Sequence, residues 1–148
     1  MKCLFCFLAL AISFAVHAND EYLIATVLRF NAPDVMMVDI PSFPDVTGKD
    51  MGVRILGIDV PSFKGKCQAE VHLAVQANIF IKSIIKPPQA VLLKDIQRGH
   101  YFMYHAEVYI NGSSLGDELV KRGLAKRIPT GKFGPKLPHI DWCEKDFK

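Results

Sequence analysis

One long stretch of this chain changes hydrophobic period, and that change restricts the folds open to it. From Cys67 to Lys86 apolar residues recur at spacings of three and four (Ala69, Leu73, Ala77, Phe80, Ile81, Ile84). This predicts an amphipathic helix of about five turns, stopped by Pro87-Pro88. On either side the apolar runs are short and β-branched or aromatic, as strands are: Tyr22–Phe30, Val35–Val38, Met51–Ile58, Ala90–Leu93 and Tyr101–Ile110. Asn31-Ala32-Pro33-Asp34 reads as a turn, and the Pro-rich segment from Pro41 to Lys49 as a loop. Asn111-Gly112 is a tight-turn signal. Ser114 is a fitting N-cap for a second, short helix carrying Leu115, Leu119, Val120 and Leu124, with Gly123 near its end. From about residue 128 the chain is rich in Gly, Pro and Lys and reads as an irregular tail.

The element order is therefore β-β-β-α-β-β-α. It has no βαβ repetition and no Gly-rich loop, which excludes a dinucleotide-binding fold. Five short strands and flanking helices close most simply as a small α+β barrel of the five-stranded OB-fold type. At 148 residues the chain suits one domain.

The N-terminus is set apart. Lys2 is followed by an apolar run from Cys3 to Val16 and then by His17-Ala18. A positive start, a short apolar core and small residues at Val16 and Ala18 predict a signal peptide, residues 1–18, cleaved after Ala18. The run is shorter than the roughly 20 residues a membrane span needs. The expected mature protein, residues 19–148, is exported (periplasmic or secreted), monomeric and without a membrane anchor. Removing Lys2 leaves 17 Lys+Arg against 15 Asp+Glu, a net charge of +2. That permits a nucleic-acid partner without demanding one. Two cysteines remain, Cys67 and Cys143. In an oxidising compartment they are a disulfide candidate, the alternative being two unrelated buried thiols. His100, His105 and His139 have no tight spacing with either cysteine, which argues against metal–thiolate chemistry.

Candidate chemistry centres on RILGID. Arg54 is a charge inside an otherwise apolar strand, and Asp59 stands at its end. A guanidinium suits a phosphate, and a strand-end carboxylate suits a hard divalent cation. Together they are two parts of a phosphodiester site, or else a partly buried ion pair on a barrel wall. Asp39 and Asp45 flank the Pro-rich loop and could approach the same cation. Glu70 and Glu107 read as surface charges of a helix and a strand. Lys121, Arg122, Lys126, Arg127, Lys132 and Lys136 form a basic cluster that could attract a polyanion or simply be solvated. Tyr101, Phe102, Tyr104 and Tyr109 offer base-stacking surfaces. No serine-hydrolase or Walker-type pattern is present.

The stretches VRILGIDVPSFKGKC, AEVHLAVQANIFIKSII and AEVYINGSSLGDELVKRGLA, in this order and spacing, resemble the thermonuclease (staphylococcal-nuclease-like) family, as does Trp142-Cys143 near the C-terminus. The resemblance covers about Tyr22 to Cys143. It implies an OB-fold barrel with helices against it, and hydrolysis of DNA and RNA, usually with Ca2+.

Carried over position by position, the family's strand arginine falls on Arg54 and its metal aspartate on Asp59. Its proposed general base falls on Ser62, whose hydroxyl has no useful basicity near neutral pH. Glu70, eight residues on, is a poor substitute. The family's second arginine falls on Met103, which cannot hold a phosphate. His105 shares the face of Met103 and is expected to pack inside the barrel. The D-G-D-T segment is matched to Val38-Asp39-Ile40-Pro41, which puts proline where a metal aspartate belongs and leaves Asp39 or Asp45 to supply the ligand.

The expectation is an exported nuclease fold without efficient nuclease activity, keeping a cation, phosphate or nucleic-acid site on Arg54 and Asp59. The alternative is an active, calcium-dependent endonuclease with a rearranged site. A third reading is a surface-interaction protein that anchors a protein partner through an exposed Phe43 and Phe63.

Overall fold

The computed structural model describes residues 21–130 and 140–143. The expected signal peptide and the basic residues Lys132 and Lys136 lie outside them. In chain order the elements are β1 (Leu23–Ala32), β2 (Val35–Asp39), the single turn α1 (Asp45–Gly48), β3 (Met51–Ile55), β4 (Ile58–Asp59), α2 (Gln68–Ile84), β5 (Gln89–Arg98), β6 (Tyr104–Ile110), β7 (Ser113–Ser114), α3 (Leu115–Lys121) and β8 (Lys126–Arg127).

The main sheet runs β3-β2-β1-β5-β6-β7. It curls until β3 meets β6 in a parallel pair, Val53 opposite Tyr104 and Arg54 opposite His105. The result is a closed, mixed five-stranded barrel with three helices, the OB fold expected from the element order. Period-two alternation fills the interior. Ala25 and Val27, Met36 and Val38, Val53 and Ile55, Val91 and Leu93, and Ala106 and Val108 are buried on successive strands. Helix α2 lays Ala77 and Ile81 against this core, as α3 does Leu115 and Leu119. Ser114 caps α3, its Oγ accepting from the Asp117 N–H at 3.3 Å. Among the described residues no helix is long and apolar enough to cross a membrane.

Three local expectations are corrected. The run Met51–Ile58 is not one strand. It breaks at Leu56-Gly57, where Gly57 adopts φ +73°, a conformation open to glycine, and the short β4 pairs instead with β8. Tyr101 and Phe102 are not strand residues but a turn at φ 56° and 59°, and both are exposed. Helix α2 keeps its expected face from Leu73 onward, with Ala77 and Ile81 buried and Leu73, Phe80 and Ile84 packed against the core, but its first turn differs. Ala69 is exposed, while Glu70, Ala74, Ala77 and Ile81 are buried.

Candidate cation and phosphate site

The break at Gly57 places Asp59 beside Arg54 instead of one strand further along. Asp59, Arg54 and Asp34 line one cavity of about 460 Å3, with the loop from Val60 to Lys66 and Glu70 completing the wall. Arg54 projects from β3 to the outside of the barrel, between buried Val53 and Ile55. On one side lies β2, whose first residue, Val35, pairs with Arg54 and directly follows Asp34. On the other lies β6, which sets His105 opposite Arg54. Arg54 Nε is 3.4 Å from Asp34 Oδ2. That is ion-pair distance, yet this buried Nε has no hydrogen-bond partner. Asp34 is also fixed through its backbone, its carbonyl accepting from the Ile55 N–H at 2.9 Å.

The electrostatics of Asp34 are unusual for a residue that reads as part of a turn. It is 6% exposed. Burial pushes its carboxyl above the ordinary value of 3.8. The Arg54 charge and a backbone hydrogen bond oppose this, and the nearby Asp59 adds to it. Asp34 and Asp59 are thus two hard oxygen donors within each other's field, with one guanidinium at hand. The donor set fits a divalent cation, which would relieve both the repulsion and the cost of burying Asp34.

Asp59 is held from a distant part of the chain. Its Oδ2 accepts from the Trp142 indole N–H at 2.9 Å and from the Ile140 backbone N–H at 3.0 Å. Trp142 is fully buried and lies under Lys126 Nζ, 4.9 Å from the ring centroid. The neighbouring Cys143 is joined to Cys67, with Cα atoms 5.9 Å apart.

Glu70 is not the surface charge its position suggested. It is 2% exposed. Oε1 accepts from the Ser62 N–H at 3.1 Å and Oε2 from the Lys66 N–H at 3.0 Å. Cys143 Sγ is 3.8 Å from Oε2. Gly65 makes room for this carboxylate, since a Cβ there would stand 2.5 Å from Glu70 Cδ. Ser62 organises the same loop, its Oγ accepting from the Lys64 N–H at 3.1 Å.

Of the residues singled out in the sequence, Arg54, Asp59, Ser62, Phe63 and Glu70 line this cavity. Asp39 and Asp45 do not line the cavity. Asp39 sits at the far end of β2, about 16 Å along the strand from Asp34, and accepts from the Asp50 N–H at 2.9 Å. Asp45 is an exposed partner of Lys49. Asp34 stands where the sequence alignment had offered Asp39 or Asp45. The hairpin register carries the signal that identifies it: with β2 and β3 paired Val35 to Arg54, the residue just before β2 lies beside the charged position of β3.

Met103 packs over Gly52, where a Cβ would come 2.9 Å from its Cγ, and does not line the cavity. His105 faces out of the barrel, not in, because alternation buries Tyr104, Ala106 and Val108. Partial burial, then Arg54 and His100, push its pKa below 6.5. Tyr104 is buried, its hydroxyl donating to the Thr47 carbonyl at 3.0 Å. Phe43 packs edge-on against Tyr104, 5.8 Å between centroids, so it is not the exposed anchor of the surface-interaction reading; Phe63 is exposed. In the basic cluster Arg127 pairs with Asp117 and Arg122 with Glu118.

An OB barrel that carries an arginine and paired acids outside its strand ends is a frame for binding phosphodiesters. The chain belongs to the family of staphylococcal nuclease homologues, whose sequence profile matches residues 52–145. No curated protein matches the chain closely enough to narrow this further.

Proposed function

We propose that this nuclease-fold protein binds a divalent cation, calcium in the first instance, together with a nucleic-acid phosphodiester, and turns it over slowly or not at all. The supporting observation is the convergence of Asp34, Asp59 and Arg54 on one cavity. Asp34 and Asp59 would hold the cation. When bound, it supplies charge that polarises a phosphoryl oxygen. Arg54 orients the phosphate and carries part of its charge. Lys64 and Lys66 at the cavity wall draw the polyanion in.

The weak point is activation of water. Ser62 offers no base at neutral pH. Both carboxylate oxygens of Glu70 accept from loop backbone N–H groups, so Glu70 is placed to shape the cavity wall. Met103 leaves the second cationic position empty of charge. Such groups act together, and losing one preorganised donor typically costs about 100–1,000-fold in rate. The reading also places the protein outside the cytoplasm, as the leader-like N-terminus and the disulfide favour.

The placement of Asp34 and Asp59 at one cavity specifically favours a second reading, an active cation-dependent endonuclease with a rearranged site. One experiment separates the two. Single-stranded DNA and RNA oligonucleotides are incubated with the purified protein, with and without calcium, and both binding and cleavage are followed. Arg54→Ala and Asp59→Ala serve as controls. The expected result is calcium-strengthened binding that falls at least about tenfold in both variants, with cleavage no higher than the variants' background. Calcium-dependent cleavage abolished by both substitutions would establish the second reading. Binding indifferent to calcium and to both substitutions would reject the site.

A further inference from the structure

We propose that residues 140–143 are a positioning strap of the cation site, so that cation affinity and the Cys67–Cys143 bond are thermodynamically linked. This inference rests on the cation site argued above and adds to it a part of the chain remote in sequence.

Asp59 Oδ2 takes two N–H donors, from Trp142 and Ile140, and both belong to the strap. Two convergent donors on one oxygen fix the rotation of a carboxylate about its χ angles. They do so from outside the cavity that Asp59 lines. Outer partners of this kind orient a ligating group for its cation, and their loss commonly weakens metal binding by about 10–100-fold.

The strap is anchored by the fully buried Trp142 side chain. Its fastenings include the Asp59 bonds, the Lys126–Trp142 contact and the disulfide. Cys143 is the residue next to Trp142, so the bridge fixes the indole directly. Its other end, Cys67, caps α2 one turn before Glu70. Glu70 in turn ties down the loop that forms the cavity wall. Opening the bridge therefore releases the Asp59 donors and one support of that wall together. Trp142 and Ile140 act through Asp59. They are positioning residues and need not touch a ligand.

Linkage makes the effect reciprocal. If reduction of the bridge weakens cation binding by a given factor, a saturating cation must protect the bridge from reduction by the same factor. The redox step is ordinary exchange. A dithiol transfers two electrons and two protons to the Cys67–Cys143 bond, giving two thiols, and closes its own disulfide.

Trp142 is the only tryptophan in the chain, so its fluorescence reports on Asp59 without a label. The test titrates calcium into the purified oxidised protein, following Trp142 emission and heat. The titration is repeated on dithiol-reduced protein and, by heat alone, on Trp142→Phe, which keeps the bridge and removes one donor. Asp59→Asn is the blank. Separately, the bridge is equilibrated against a dithiol redox buffer with and without saturating calcium. We expect calcium affinity to drop about tenfold or more on reduction and in Trp142→Phe. Calcium should lower the reduction potential of the bridge correspondingly, by about 30 mV for each tenfold.

Equal affinity in the oxidised, reduced and Trp142→Phe proteins would overturn the proposal, leaving the strap a purely structural tie. Tighter binding after reduction would also overturn it, since the strap would then compete with the cation. Absence of binding by the oxidised protein would instead reject the cation site itself. Trp142→Phe guards against the case in which the reduced protein merely unfolds.

Discussion

Burial gives the Asp34 carboxylate an electrostatic cost. Its carboxyl is raised above 3.8, first by burial and then by the nearness of Asp59, against the pull of Arg54. A raised folded value means that the native state favours the protonated acid. The stabilisation it brings is complete below 3.8 and is lost as pH rises through the folded value. In chelator, Asp34→Asn should therefore gain stability relative to the parent between acid and neutral pH, seen as a rising difference in Tm across a pH series of thermal melts. Calcium should reverse the order near neutrality, because only the parent can use it. Arg54 and Asp59 are legible in the sequence, since a charge within an apolar strand and an acid at its end stand out from their neighbours. Asp34 is not. After Asn31-Ala32-Pro33 it looks like turn chemistry, and its burial is set by barrel closure, which no local pattern encodes.

At the scale of elements, the loop from Pro61 to Lys66 and the first turn of α2 form one unit. Glu70 accepts from both ends of the loop, and the absence of a side chain at Gly65 lets the carboxylate lie against the backbone. Gly65→Ala should displace that carboxylate and cost about 1–3 kcal/mol, measured by urea unfolding, by leaving buried polar groups without their partners. The helix itself is plain in the sequence from its period, within about two residues at each end. The burial pattern of its first turn is not, because the packing of Glu70 against a loop outweighs the apolar signal of Ala69. The early start expected for β6 fails for a related reason. Tyr101 and Phe102 have strand-forming side chains, yet the connection from β5 to β6 needs two left-handed residues there, so chain geometry prevails over propensity.

At the scale of the whole molecule, the Cys67–Cys143 bridge spans 76 positions and joins the C-terminal segment to the start of α2. In the chain-entropy account a loop of this size contributes about 3–5 kcal/mol. Replacing both cysteines by serine should lower Tm by roughly 10–20 °C, checked by calorimetry at matched pH without calcium. The fold class was readable because the order of strands and helices admits few ways of closing a small barrel. The pairing of the two cysteines was readable only as a candidate, since spacing alone says nothing of distance.

The seam where β3 meets β6 also bears on how the chain is made. Its two strands are about fifty residues apart in sequence, with α2 and β5 between them. A chain emerging N-terminus first can pair β1 with β2 and β2 with β3. It must then carry an unpaired β3 edge until β6 arrives, and such an edge is a template for association with other chains. Closure waits on long-range contacts, which are slow to form. The cavity borders this seam, with Arg54 on one strand and His105 on the other. A half-made molecule therefore presents its strand edge and lacks its site, and both are put right by the same late event.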